Sequence, residues 1–268
     1  MSPIRHRGEY GFDGNLTGLL AMIAVTVGLL AAAVALARAG LAGAAGVTAL
    51  VFTLLLSTIG FGLHTTRRGK FLVWAEILDN LDLRGDERVL DVGCGRGAIL
   101  AMVAERLPRG RIVGIDLWTT DQSSNRPDAT ERNLIAEGVR ERCEIVTGDM
   151  RSMPFPNASF EVVVSSLAIH NIRNMEGRAQ AIREIARVLA PGGRMALADL
   201  AFTLTYARTL TSLDFVDVRR RRLGWRFWWG LALPATTLVS ATKAAPPNST
   251  AVLSPSEQGT QKQGWYKT

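Results

Sequence analysis

Two unbroken apolar runs open the chain, Leu16 to Ala37 and Leu41 to Leu63, and short apolar strands alternating with amphipathic segments follow them. Each run matches the ~20 residues that cross a hydrocarbon core as a helix. Only Arg38, Ala39 and Gly40 separate them, so the pattern predicts a tight transmembrane helical hairpin. A buried hairpin of a soluble protein or a signal peptide gives a related pattern. A signal peptide, however, has a shorter apolar core and is not followed at once by a second span. Gly40, Gly43 and Gly46 recur every three positions, as they do where helices approach closely or where a turn is rich in glycine.

After the second run, Phe71, Trp74, Ile77, Leu78 and Leu81 fall on one helical face; Trp74 either sits at the lipid headgroup level or, the reading favoured, packs on the domain that follows. Strands are then predicted at Arg88–Val92, Arg111–Asp116, Cys143–Thr147, Phe160–Ser165 and Arg194–Asp199. Helices are predicted at Ala98–Leu107, Thr130–Glu137, Met175–Leu189 and Thr203–Ser212. Two last strands, in "FVDVRRRRLGW" and "TTLVSATK", pair as an antiparallel edge hairpin. This alternation implies an α/β domain, a doubly wound, mostly parallel seven-stranded sheet with helices on both faces. The expected division is an N-terminal segment 1–15, two membrane helices 16–66, the α/β domain 67–243 and a polar, disordered tail 244–268.

Charge adds orientation. Arg5 and Arg7 precede the first span and Arg67, Arg68 and Lys70 follow the second, while the turn between them offers only Arg38. Both termini and the α/β domain are therefore expected on the cytoplasmic side. The net charge of +7 suits a chain lying against anionic lipid, and nucleic acid is the other reading of a basic protein. The two cysteines, Cys94 and Cys143, make neither a disulfide framework nor a metal cluster.

The candidate chemistry begins at "VLDVGCGRGA", where Gly93, Cys94, Gly95, Arg96 and Gly97 follow the first strand and precede a helix. Ligands of open α/β sheets bind at such strand ends, and glycine lets the backbone come close to them. Gly93, Gly95 and Ala98 also satisfy a dinucleotide fingerprint. Three acids bear on that choice. Asp91 lies inside the strand end, where a carboxylate is awkward beside a pyrophosphate. Asp116 ends the second strand, placed for ribose hydroxyls of either cofactor class. Asp149 ends the third, placed for an adenine amino group, with Leu117 and Met150 available to pack on the base.

From about Arg88 to Lys243 the chain resembles the class I S-adenosylmethionine-dependent methyltransferases, in "VLDVGCGRG", "GIDLW", "TGDM", "FEVVVSSLAIHNI" and "EIARVLAPGGRMALADL", five matches in order. The resemblance implies the Rossmann-like methyltransferase fold and S-adenosyl-L-methionine as cofactor. It implies that Asp91 and the loop Gly93, Cys94, Gly95 and Gly97 hold the methionine part, Asp116 the ribose and Asp149 the adenine. Ser165, at the end of the fourth strand, is counted with the cofactor set. Trp118 is either an adenine neighbour or ordinary packing. No metal site is expected.

The acceptor is less defined. His170 in "AIHNI" is the candidate base for an acceptor that must lose a proton, the alternative being that it orients its loop. Ser165, Ser166, Leu167 and Ala168 stand where adenine- or amide-methylating members carry an Asn/Asp-Pro-Pro-aromatic motif, and neither cysteine follows a proline. Asp121, Gln122 and Ser123 either close over the site or form a solvated loop. Arg219 to Pro234, with Trp225, Phe227, Trp228 and Trp229 among arginines, reads as a membrane-interface patch, as the solvent face of an edge strand, or as a nucleic-acid surface. The combined expectation is a membrane-anchored methyltransferase whose partners are the bilayer and a lipophilic small molecule or lipid. The alternatives are a membrane-bound sensor or assembly factor that binds cofactor without turnover, and a tethered methylase of protein or RNA.

Overall fold

The computed structural model describes residues 6–11, 16–119, 125–213, 215–230 and 235–245. Asp121, Gln122 and Ser123, and the tail beyond residue 245, lie outside them.

Helices α1 (Leu16–Arg38) and α2 (Ala42–His64) pack on each other as a hairpin. Each has 23 residues, or ~35 Å at 1.5 Å per residue. Their large apolar side chains face outward: Leu20 is 58% exposed, Val27 62%, Val47 66% and Leu50 60%. Gly43 and Gly46 do not mediate the packing, because nothing lies within 4 Å of where a Cβ would stand on either. Gly40, at φ +76°, serves the turn.

The second helix does not stop at His64. One π-helical turn, Thr65–Gly69, carries it into α3 (Lys70–Asn80), giving a continuous rod of 39 residues. α3 buries Phe71, Val73, Trp74, Ala75, Ile77 and Leu78 against the domain, so the second helix of the hairpin runs on into a helix of the domain's own core. Trp74 is fully buried, as expected, and its Nε1–H donates to Ser166 Oγ at 2.9 Å.

The sheet runs β3 (Cys143–Thr147), β2 (Arg111–Asp116), β1 (Arg88–Val92), β4 (Phe160–Ser166), β5 (Leu189–Asp199), β7 (Thr237–Lys243) and β6 (Phe215–Arg222). The first five are parallel; β7 is antiparallel to both its neighbours, and β6 forms the edge. β5 begins earlier than its sequence suggests, because Leu189 pairs with Phe160 and the Pro-Gly-Gly stretch is absorbed as an irregularity in register. α3, α4 (Ala98–Glu105) and α5 (Pro127–Glu137) contribute to the apolar core on one face, and α6 (Met175–Val188) and α7 (Thr203–Thr211) to that on the other. α5 starts at Pro127, suited to a first helical position where no N–H is needed.

Two connections tie the hairpin down. Residues before α1 fold back onto α5: Arg7 N and Gly8 N both donate to Glu137 Oε1 at 2.9 Å, and Tyr10 Oη–H donates to the same oxygen at 2.9 Å. The stretch Trp225 to Gly230 lies along the end of α2. Thr65 Oγ1 donates to the Trp228 carbonyl at 2.6 Å, Trp225 stacks on His64, and Arg226 grips Glu76 with bonds of 2.6 and 2.9 Å. The aromatic stretch thus mostly packs on the hairpin, with Phe227 and Trp229 buried and Trp225 exposed, whereas Arg219, Arg221 and Arg222 are the exposed side of the edge strand.

Candidate active site

The strand order reverses between β1 and β4, and ligands of open α/β sheets bind at such a switch point. A cavity of about 600 Å³ lies there, within the ~300–1,000 Å³ of small-molecule sites. Of the predicted residues, Asp91, Gly93, Cys94, Gly95, Asp116, Leu117, Asp149, Met150 and His170 line it. Gly97 and Ser165 do not: Gly97 caps α4 at φ +81°, and Ser165 is buried with its hydroxyl donating to the Val92 carbonyl at 2.7 Å.

The glycine loop is built for close approach. Gly93 stands at φ +75°, and a Cβ there would collide with Cβ of Ala168. The loop's carbonyls are held from α5, Gly95 O by Thr130 Oγ1 at 2.7 Å and Arg96 O by Asn133 Nδ2 at 2.9 Å. Asn133 also accepts from Glu9 N at 2.8 Å and donates to Glu9 O, linking the pre-helix segment to the loop. The sequence offered no signal for this bridge beyond two polar residues on one turn of a helix.

The acids differ in their surroundings. Asp91 is 1% exposed, and its Oδ2 has no hydrogen-bond partner among the described residues. Burial, then the nearby Asp116, pushes its carboxyl up to about 8. A buried carboxylate in that state is a seat for a cation. Asp116 organises the loop: Oδ2 accepts from Gly95 N at 2.8 Å, and Oδ1 from Trp118 N at 2.7 Å and Asn125 Nδ2 at 3.2 Å. Asp149 is gripped by the Arg151 guanidinium at 2.5–3.0 Å, which holds its carboxyl below the usual range. Trp118 sends its Nε1–H to Thr147 Oγ1 at 2.7 Å and does not line the cavity, which favours packing over contact with a base. Cys94 is buried, and desolvation raises its thiol well above the ordinary value, so it supplies shape and not a nucleophile.

Opposite the glycine loop, β4 and β5 end side by side. His170 follows β4, and its Nδ1 stands 2.5 Å from Oδ1 of Asp199, the last residue of β5. Asp199 is 2% exposed, and its Oδ2 accepts from His170 N at 3.0 Å and Tyr206 Oη at 3.1 Å. A carboxylate this close to Nδ1 favours a proton on that nitrogen, which would leave Nε2 as the basic atom. Asp199 was legible as the neighbour of His170 only through the pairing of the two strands. Two further cavity residues, Lys70 and Trp229, stand elsewhere in the sequence reading, the first as a membrane flank and the second in the aromatic stretch. Among the described residues no His, Cys, Asp and Glu cluster suits a metal.

A family model described as a methyltransferase domain matches residues 90–197. The chain is 32% identical over 155 residues to methyltransferase GfsG of Streptomyces halstedii, covering 52% of each chain. It is 31% identical over 144 residues to demethylmenaquinone methyltransferase of Listeria monocytogenes, covering 53% of this chain and 54% of that protein. The chain spans about half the length of these curated relatives. Its fold is similar to that of geranyl diphosphate C-methyltransferase from Streptomyces coelicolor solved with S-adenosyl-L-homocysteine, at TM-score 0.52 and 15% identity over 67% of this chain and 81% of that one. Residues 90–197 therefore match a methyltransferase domain, and the fold is shared with solved S-adenosylmethionine-dependent methyltransferases.

Proposed function

We propose that the protein is a membrane-anchored methyltransferase that moves a methyl group from S-adenosyl-L-methionine to a lipophilic small molecule or lipid. One observation carries the reading: a single cavity has a buried carboxylate, Asp91, whose Oδ2 has no hydrogen-bond partner among the described residues, at its glycine-loop end, and His170, backed by Asp199, at its other wall. S-adenosylmethionine, when bound, supplies an electrophilic methyl group on a cationic sulfur. Asp91 would face its ammonium, Asp116 the ribose and Asp149 the adenine amino group, with Leu117 and Met150 against the base. The glycine loop, Cys94 included, shapes the methionine end. Gly97 and Ser165 act from behind, one setting the start of α4 and the other joining β4 to β1. His170 Nε2 takes the acceptor's proton, and Asp199 stabilises the imidazolium that forms.

The membrane reading is supported by two helices whose apolar side chains are mostly exposed, unlike the core helices of a soluble protein. The docking of residues 6–10 on α5 keeps the start of α1 and the end of α2 together, as two spans require. The arginine count on either side of the turn favours a cytoplasmic domain. We divide the chain accordingly at about residues 15, 66 and 243.

The test incubates membranes containing the full chain with methyl-labelled S-adenosylmethionine beside a Gly95→Arg control, then separates organic extract, protein and nucleic acid. Control-dependent label in the organic extract is the expected result. Label in protein or RNA would overturn the lipophilic acceptor, and its absence from every fraction despite tight cofactor binding would favour a sensor.

A further inference from the structure

Two loops border the cavity opposite the glycine loop. One, residues 167–174, follows β4 and carries His170; the other, residues 200–202, follows β5 and its last residue, Asp199. One side chain reaches both loops. Arg178, on the first turn of α6, donates from Nη1 to the Ile172 carbonyl at 2.6 Å and to the Arg173 carbonyl at 3.2 Å. The same guanidinium lies over the Phe202 ring, 3.6 Å from its centre. Its charge also acts on the Tyr206 phenol of α7, and that phenol donates to Asp199 Oδ2 at 3.1 Å.

Neither partner of this contact is there for packing alone. Arg178 is 7% exposed, its two bonds go to carbonyls, and its Nε–H has no hydrogen-bond partner among the described residues. Burying a guanidinium on those terms is costly, and apolar side chains often fill such a place as well or better. Phe202 stands at φ +61°, in the left-handed region that a bulky side chain rarely adopts. Its ring is 46% exposed, so burial does little to hold it there. The guanidinium beneath the ring supplies the contact that burial does not.

We propose that Arg178 is a positioning residue for the His170–Asp199 pair. Through Ile172, Arg173 and Phe202 it holds together the two loops that follow β4 and β5, and so keeps the imidazole on its carboxylate. Through Tyr206 it steadies the carboxylate oxygen that faces away from the ring. The effect on turnover rests on the methyl-transfer reading above, whereas the geometry of the pair can be read without any acceptor.

The test uses the full chain in detergent micelles, with S-adenosylhomocysteine bound and nitrogen-15 in histidine alone. The chain has three histidines, and the His170 signals are those that vanish in His170→Ala. Ring nitrogen shifts, recorded where the imidazole is neutral, report which nitrogen carries the proton. In wild type it should sit mainly on Nδ1, against Asp199. Arg178→Met, which keeps an apolar stem, should lower the ratio of Nδ1–H to Nε2–H about tenfold, as for the loss of a charge-assisted hydrogen bond. Arg178→Lys keeps the charge but not the planar fork, and should fall between. Phe202→Gly separates positioning from folding. Glycine suits φ +61°, so the melting temperature should not drop, while loss of the ring contact should lower the ratio about threefold. S-adenosylhomocysteine affinity should stay within about twofold throughout, which also shows that the variants are folded. A wild-type ratio in both Arg178→Met and Phe202→Gly, or a proton on Nε2 in the wild type, would overturn the proposal. So would a ratio that falls only together with cofactor affinity in Arg178→Met, with Phe202→Gly unchanged, since Arg178 would then serve the fold alone. The expected ratios in a protein that labels no fraction with methyl groups would support the positioning and sink the enzymatic reading instead.

Discussion

Nδ1 of His170 stands 2.5 Å from Oδ1 of Asp199, and the carboxylate that faces the ring is almost wholly buried. A histidine that merely orients its loop needs no such partner, because the backbone contact from His170 N to Asp199 already fixes the turn. The pair should therefore act in proton transfer. His170→Ala is expected to slow methyl transfer about 100-fold or more while leaving cofactor affinity unchanged. Asp199→Asn, which keeps the shape and loses the charge, should fall between. Wild-type turnover in His170→Ala would end the base role.

Much of this arrangement was legible in the chain. The strand ends carrying Asp91, Asp116 and Asp149 were readable because buried parallel strands are short apolar runs, and glycine spacing marks the loop after the first. What local pattern could not supply were relationships set by tertiary pairing. Asp199 joins His170 only because β4 and β5 are neighbours in the sheet. Lys70 looked like a flanking cation because its charge says nothing of burial, and it is the continuity of α2 with α3 that turns it into the cavity. Glu9 and Tyr10 carried no periodic signal at all, yet they lie on α5.

The Asp91 carboxyl gives the site a pH dependence of definite sign. With its folded value raised to about 8, the cofactor-free protein holds a proton there that the unfolded chain releases near 4. Its contribution to stability is thus fully present below the unfolded value and lost as pH rises through about 8. A bound ammonium favours the ionised form, so cofactor affinity should rise as pH climbs toward 8, by at most about tenfold per unit. Calorimetric titration with S-adenosylhomocysteine should detect release of up to one proton at the lower pH. Asp91→Asn should bind weakly and without that slope; a flat wild-type profile would contradict the assignment.

Asn133 connects the segment before α1 to the glycine loop, and it is 4% exposed. Asn133→Ala leaves the Arg96 carbonyl and both backbone groups of Glu9 without these partners. The expected cost is roughly 2–3 kcal/mol of stability, seen as a lower melting temperature of the full chain in detergent. Cofactor affinity should fall with it, because the loop loses one of its two ties to α5. Unchanged affinity with lowered stability would confine the bridge to a structural role.

Gly93→Ala brings a Cβ into collision with that of Ala168, in a backbone conformation that also disfavours any side chain. S-adenosylhomocysteine binding should be lost. Adding Ala168→Gly removes the collision but not the backbone penalty of about 1 kcal/mol, so binding should return only in part. Full recovery in the double variant would show that the strained φ is without consequence.

The contacts between Tyr10 and Glu137 bear on topology as well as stability. Since residues 6–10 rest on α5, the start of α1 and the domain after α2 must occupy the same side of any membrane the hairpin crosses. Only the turn at Ala39 can reach the other side. Both native cysteines are buried, at 7% for Cys94 and 6% for Cys143, and burial pushes the Cys143 thiol up to about 12. Background labelling should therefore be low, and a single added thiol can be read directly. Ala39→Cys should react with a membrane-impermeant maleimide in intact spheroplasts, and Ser212→Cys, exposed on the domain, only after permeabilisation. Labelling of both before permeabilisation would place the domain outside. Reaction of Ser212→Cys alone would invert the orientation that the arginine distribution favours. Release of the protein by carbonate extraction, with the turn and the domain equally reactive, would mean that the exposed apolar faces of α1 and α2 are covered by something other than lipid.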